Sequence, residues 1–359
     1  MVDKTTLKKI FILPIALQTA VFISYCLFPI NFILRPFSKR YTIYLNGLVA
    51  SIWFKFVVFA FTVLHGIKIT IYGDDVPEDE NAVIIMNHPS EIDWAYTWIL
   101  GAMKNSLGNI KIIMKDEIKY VPGVGWGCDC LGWIYITRDW AYDEKHLQHH
   151  LTKDKDIGHR TWLTIFPEGT DMDEEKLAKS HAFAEKNGFP KFNNVLLPRV
   201  KGVHTSISSM RPELQAVYDL TIGYETKPSI VSNLIGTNPR KVDINIRRIP
   251  ISNVPKEENE TQDWLFKIFA EKEQLLEHLK KHKTYPTKGR LYEPDTSVYV
   301  YGILFLALIP WSIYTFFTSY YARWFTAIAT TVFIINSASH QVRLLRGSDV
   351  PRPRKVHKA

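Results

Sequence analysis

His88 and Asp93 stand five residues apart in Asn87-His88-Pro89-Ser90-Glu91-Ile92-Asp93. An imidazole backed by a carboxylate can take a proton from an alcohol near neutral pH. Five residues leave two side chains roughly 140° apart on an ideal helix, so the pair meets only if His88 lies in a turn and Asp93 one turn into the following helix. The flanking residues predict that arrangement. Ala82-Val83-Ile84-Ile85-Met86 is long enough for one buried strand and too short for a helix. Asn87 breaks the strand, and Pro89 suits the first position of a helix, where its missing N–H costs nothing. A second apolar run, Trp162-Leu163-Thr164-Ile165-Phe166, leads into Pro167-Glu168-Gly169-Thr170. Two strands ending in polar, proline-containing turns predict two edges of one site, because sites in open α/β sheets collect at the carboxyl ends of strands.

The region that must hold this pair runs from about Lys68 to Asp295. Strand patterns fall at Val83–Met86, Ile110–Met114, Trp133–Ile136, Leu163–Phe166, Val195–Pro198, Val217–Ile222 and Val242–Ile246. Amphipathic helices fit after Pro89 and over Asp143–Leu151, Glu174–Lys186 and Trp264–Leu279, with Ser252–Thr261 as a charged linker. Strands separated by helices predict an α/β sheet flanked by helices.

Four motifs in order give the sequence a resemblance. Asn87-His88 with Asp93 and Phe166-Pro167-Glu168-Gly169-Thr170 resemble the signature of the glycerolipid acyltransferase superfamily. Lys115, Val121-Pro122-Gly123, Gly132 and Ile136-Thr137-Arg138 resemble its second motif, and Val195-Leu196-Leu197-Pro198-Arg199 its fourth. The likeness runs from about Val83 to Tyr224. The string continuing through His181-Ala182-Phe183-Ala184-Glu185-Lys186-Asn187-Gly188 is most similar to the lysocardiolipin and lysophosphatidylinositol acyltransferase branch.

The resemblance implies an acyl-CoA-dependent enzyme that esterifies the free hydroxyl of a lysophospholipid. A thioester is already activated, so acyl-CoA serves as co-substrate and no metal, resident cofactor or covalent nucleophile is required. His88 is then the base and Asp93 its orienting carboxylate. Arg138 is the expected phosphate ligand, with Lys115 in a similar role. Gly123 and Gly169 allow close backbone approach, Glu168 and Thr170 belong to the acceptor loop, and Pro198 ends a strand beside the acyl channel. The same motifs serve acylation of lysophosphatidic acid, which is the alternative activity. A non-catalytic lipid-binding protein is a second alternative. A hydrolase is a third, lacking a Gly-x-Ser-x-Gly elbow.

The ends of the chain are a membrane pattern. Residues Ile10 to Leu34 carry no charge, enough to cross a bilayer core of ~30 Å. The segment from Ile43 to Ile67 is apolar around Lys55, which predicts an interfacial helix or one packed on its neighbour, with the ammonium reaching head groups. Ser297 to Ala322 and Trp324 to Ile335 are apolar again, and a hairpin there would put the basic tail on the side of the catalytic domain. The expected organisation is therefore membrane segments over 1–67, a catalytic domain over 68–295, membrane segments over 296–340 and a basic tail over 341–359. With 44 Lys and Arg against 36 Asp and Glu, the net charge of +8 suits an anionic membrane surface. Its concentration beside apolar segments argues against a nucleic-acid partner. Lys355-Val356-His357-Lys358-Ala359 resembles a retrieval signal, so the endoplasmic reticulum membrane is the expected location, with a mitochondrial membrane as the other. Three cysteines make no disulfide framework. His146, His149 and His150 share a helix face that reads as solvated rather than metal-binding. Oligomeric state is not legible.

Overall fold

The computed structural model describes residues 4–153 and 158–338. Helices α1 (Lys4–Pro29) and α2 (Lys39–Phe59), each continued by one wider turn, lead into β1 (Lys68–Gly73). Then come β2 (Ala82–Met86), α3 (Asp93–Met103), β3 (Ile110–Lys115), α4 (Val124–Leu131), β4 (Ile134–Ile136) and α5 (Trp140–Thr152). They are followed by β5 (Trp162–Ile165), α6 (Glu174–Asn187), α7 (Val200–Met210), β6 (Ala216–Tyr224), α8 (Ile230–Leu234) and β7 (Lys241–Pro250). The chain ends with α9 (Glu258–His282), β8 (Arg290–Leu291), α10 (Thr296–Thr318) and α11 (Tyr320–Ala338).

The strands form one eight-stranded sheet in the order β4-β3-β5-β2-β6-β7-β1-β8. The first five run parallel, with Ala82 of β2 opposite Trp162 of β5 on one side and Ala216 of β6 on the other. Strand β7 turns antiparallel to β6, β1 follows β7, and β8 opposes β1. Residues of β2 alternate between two cores, as a strand buried on both faces requires. Ala82, Ile84 and Met86 meet Phe54, Trp98 and Ile99, whereas Val83 and Ile85 meet Val203, Ile207, Leu265 and Phe269.

The sheet is thus sandwiched between α2 and α3 on one face and α7 and α9 on the other. Ala50, Phe54 and Val58, four apart on α2, belong to the same core as the sheet, and Phe54 stacks on Trp98 at 4.2 Å. Lys55 does not reach outward alone, because its ammonium lies 5.0 Å over the Tyr301 ring of α10. Among the described residues, the helices Lys39–Leu64 and Thr296–Thr318 are long and apolar enough to cross a membrane. The Ile10–Leu34 span extends over side chains outside the described set. Helices α10 and α11 break at Ser319 and reverse along α1. Ser312 accepts from Gln18, whereas Phe325 and Phe333 pack on Tyr25 and Phe28. The basic tail and the retrieval-like residues lie outside the described residues.

Several expected elements differ. Helix α3 starts at Asp93, not after Pro89. Val195–Pro198 joins no strand, because the Glu168 carboxylate and the Ser180 hydroxyl take the Leu196 and Leu197 amides that a ladder would need. The linker is shorter than expected, since α9 begins at Glu258. His146 is not on a solvated face, because α5 turns Tyr142, Asp143, His146 and Leu147 inward.

Candidate active site

All five parallel strands deliver their carboxyl ends to one edge. There β2 ends beside His88, β5 beside Phe166–Thr170, β3 at Lys115, β4 beside Arg138 and β6 at Tyr224. Asn87 makes the departure from β2 possible. Its side chain accepts from the Ile222 amide at 2.8 Å and donates to the Ile222 carbonyl at 3.0 Å, replacing the ladder bonds of the next residue.

His88 then sits at the tip of the turn, and its Nδ1 lies 2.9 Å from Asp93 Oδ2. Asp93 is fully buried as the first residue of α3, and Oδ2 also accepts from the Ser90 amide at 2.8 Å. Oδ1 accepts from the Tyr224 hydroxyl. Burial pushes the Asp93 carboxyl up, and the contacts to His88, Tyr224 and Ser90 pull it back. Phe166 packs its ring against the imidazole at 4.3 Å. With Nδ1–H assigned to Asp93, the lone pair of Nε2 has no hydrogen-bond partner among the described residues. The side chain keeps 15% exposure. That geometry leaves Nε2 able to accept a proton from an incoming hydroxyl.

Glu168 joins three of the motifs through the backbone. One carboxylate oxygen accepts from the His88 amide at 2.7 Å and the other from the Leu196 amide at 2.8 Å. The Arg199 amide donates to the Pro167 carbonyl at 2.8 Å, closing the same loop. Gly169 has φ +72°, and a Cβ there would lie 3.2 Å from the Arg199 guanidinium. Glycine is needed both for the turn and for that close approach. Arg138 donates from Nη2 to the Gly169 carbonyl at 3.3 Å. Its own backbone is left-handed, with φ 68°, and is held there by the buried Asp143 carboxylate, which accepts from the Thr137 and Arg138 amides. Two guanidinium groups thus converge on Gly169, in the loop whose Glu168 holds the His88 amide.

The remaining expected residues are placed as follows. Lys115 ends β3, two strands from β2 on the same edge. Thr170 donates to Asp171 at 3.3 Å. Pro198 lies between Leu197 and Arg199 and ends no strand. Gly123 packs against α1, where a Cβ would meet Val21 at 2.8 Å and where its carbonyl accepts from Ser24. Sequence reasoning did not find Asp143 or Tyr224 as contributors, and it gave Asn87 as a strand breaker and motif residue and Arg199 as a motif residue without their contacts. Arg199 lay within a recognised motif, but Tyr224 is 131 residues from Asp93, and no local pattern links them.

Comparison with known proteins identifies the family. Residues 68–211 match the acyltransferase family and residues 232–306 the acyltransferase C-terminus family. A protein of Arabidopsis thaliana described as probable 1-acyl-sn-glycerol-3-phosphate acyltransferase 5 is 37% identical over 273 residues, covering 76% of this chain and 73% of its own. The chain belongs to the glycerolipid acyltransferase superfamily. Lysocardiolipin acyltransferase 1 of Gallus gallus is 30% identical over 322 residues, covering 84% of this chain and 85% of its own. The acyltransferase fold here places the carboxylate partner of His88 under the control of Tyr224. Tyr224→Phe removes one of three donors to a buried carboxylate, about 1.5–3 kcal/mol for a charged acceptor. We expect the acid limb of kcat/KM to move up by about one pH unit, with the thermal midpoint lowered by about 3–12 °C. A pH–rate profile superimposable on wild type would show that the hydroxyl does not act on Asp93.

Proposed function

We propose that this acyltransferase moves an acyl group from acyl-CoA to the free hydroxyl of a lysophospholipid. The observation that carries the proposal is the His88–Asp93 pair with Nε2 open, set beside the arginine pair at Gly169. Nε2 removes the hydroxyl proton as the oxygen attacks the thioester carbonyl carbon. The tetrahedral intermediate collapses with cleavage of the carbon–sulfur bond, and the imidazolium returns its proton to the departing CoA thiolate. Asp93 stabilises the imidazolium between those steps. Arg138 and Arg199 are suited to the acceptor's phosphate through charge-assisted hydrogen bonds.

Lysophosphatidylinositol or lysocardiolipin is the favoured acceptor, supported by the motif string through Gly188 and by the likeness to the Gallus gallus protein over 84% of this chain. Lysophosphatidic acid is the second reading, favoured by the higher identity to the Arabidopsis thaliana protein. The two long apolar helices support a membrane setting, which the retrieval-like Lys355-Val356-His357-Lys358-Ala359 assigns to the endoplasmic reticulum in this reading.

The test is transfer from labelled acyl-CoA to a panel of these three acceptors, in membranes without background activity. Transfer to lysophosphatidic acid alone moves the chain to the second reading. Absence of transfer to every acceptor by folded protein sinks the enzymatic one. Arg138→Gln should raise KM for the acceptor about tenfold, the loss of one charged hydrogen bond, with a smaller effect on KM for acyl-CoA. An equal rise for both substrates would remove Arg138 from the acceptor site.

A further inference from the structure

Arg199 ends a segment that the sheet does not support. Residues 192–198 belong to no strand or helix, although Phe192, Val195 and Leu196 are buried. Buried backbone outside a ladder must find its partners among side chains. Glu168 and Ser180 hold the Leu196 and Leu197 amides. The start of the segment is held from α9. One carboxylate oxygen of Glu273 accepts from the Asn193 amide at 2.9 Å and from Asn194 Nδ2 at 2.8 Å, and the other accepts from the Asn194 amide at 2.7 Å. Three bonds to two consecutive residues fix the direction of the chain as well as its position. His181 Nε2 adds a bond from α6 to the Phe192 carbonyl at 2.6 Å.

Five residues beyond Asn194 the segment delivers Arg199. The Arg199 amide is tied to the Pro167 carbonyl, and its guanidinium lies against Gly169, where a Cβ would come within 3.2 Å of Nε. Arg199 is exposed, so its direction follows mainly from the backbone that carries it. Glu273 sets one end of that backbone and Pro167 the other. The His88 amide is held by a separate bond to Glu168, so Glu273 governs Arg199 rather than the base. Glu273 also lies within the stretch that matches the acyltransferase C-terminus family. That module thus reaches the catalytic edge through one carboxylate.

We propose that Glu273 is a positioning residue for Arg199, and through it for the phosphate of the acceptor lipid. The inference rests on the reading of Arg199 as a phosphate ligand, and the test separates the two. The full chain in neutral detergent, without acyl donor, is titrated with lauroyl lysophosphatidic acid, following the thermal midpoint. Wild type, Glu273→Gln, Arg199→Gln and the double variant are compared. Arg199→Gln should need about tenfold more ligand for half its shift, the loss of one charged hydrogen bond. Glu273→Gln keeps the size of the side chain but loses the acceptor for the Asn194 amide, and should need about threefold more. The sign matters, because a carboxylate acting only through its field repels phosphate, and neutralising it would tighten binding. The double variant should match Arg199→Gln, since Glu273 has nothing left to position. With acyl-CoA present, the Glu273→Gln loss should appear in KM for the acceptor, with kcat and KM for acyl-CoA within about twofold of wild type. If Glu273→Gln does not fold, Glu273→Asp, which draws the carboxylate back by one methylene, is read in the same cycle. Unchanged binding in Arg199→Gln, or no binding by wild type, overturns the phosphate reading and the inference with it. Weakened binding in Arg199→Gln beside unchanged or tighter binding in Glu273→Gln overturns the inference alone. Losses that multiply in the double variant overturn it too, because Glu273 would then act on the fold rather than on Arg199.

Discussion

His88→Ala is expected to lower kcat by about 10³-fold or more, the range of a lost general base, with the thermal midpoint nearly unchanged. The ring is at a turn and its removal leaves the Glu168 bond to the His88 amide in place, so the loop keeps its anchor. Asp93→Asn is the more discriminating change. The carboxylate accepts from three donors, His88 Nδ1, the Ser90 amide and the Tyr224 hydroxyl. An asparagine can keep its oxygen toward His88 and Ser90 and turn its amide toward Tyr224, whose hydroxyl can reverse and accept. Geometry and tautomer survive, and what disappears is the negative charge behind the imidazolium. A kcat loss of about 10²–10³ is expected. His88→Ala/Asp93→Asn should be no slower than His88→Ala, because a carboxylate without its base has nothing to stabilise. Independent multiplication of the two losses would mean that Asp93 acts on substrate rather than through His88.

Much of the site was legible because its signals are local. The all-apolar run 82–86 reads as a strand buried on both faces, and the polar turn after it places His88. The start of α3 was set four residues too early because proline chemistry was weighed without the Asp93 carboxylate, which captures the Ser90 amide and opens the helix at its own position. The segment Val195–Pro198 has strand composition, and whether its amides enter a ladder depends on Glu168 and Ser180 far away in sequence. Helix α4 was invisible because Gly123, Gly125 and Gly127 look like a turn. At Gly125 a Cβ would overlap the Lys119 carbonyl, so glycine serves close packing there. Lys55 left open an interfacial helix or one packed on its neighbour, and Tyr301, 246 positions onward, is what sets it against α10.

Glu168→Ala should have the largest effect on stability. It strips the acceptor from two buried amides, those of His88 and Leu196, at a cost of about 1–3 kcal/mol each. A domain holds only ~5–15 kcal/mol in total, and the thermal midpoint should fall by about 5–15 °C. Activity should fall with it, since the His88 backbone loses its tether to the acceptor loop. The carboxyl also carries a pH signature. Burial pushes it up from 4.5 to about 7, against the pull of the Leu196 and His88 amides. The folded state therefore holds this proton more tightly than the unfolded chain. Its contribution is fully present below about pH 4.5 and declines as pH rises through about 7. Glu168→Gln cannot titrate, so its stability should fall less steeply than wild type across that window, as chemical denaturation at several pH values would show. Parallel curves would mean that Glu168 stays ionised throughout. A neutral imidazole base works best toward the upper end of the window, where Glu168 is charged. There the carboxylate contributes least to global stability and grips the two amides most strongly, so the loop is held firmly where the chemistry needs it.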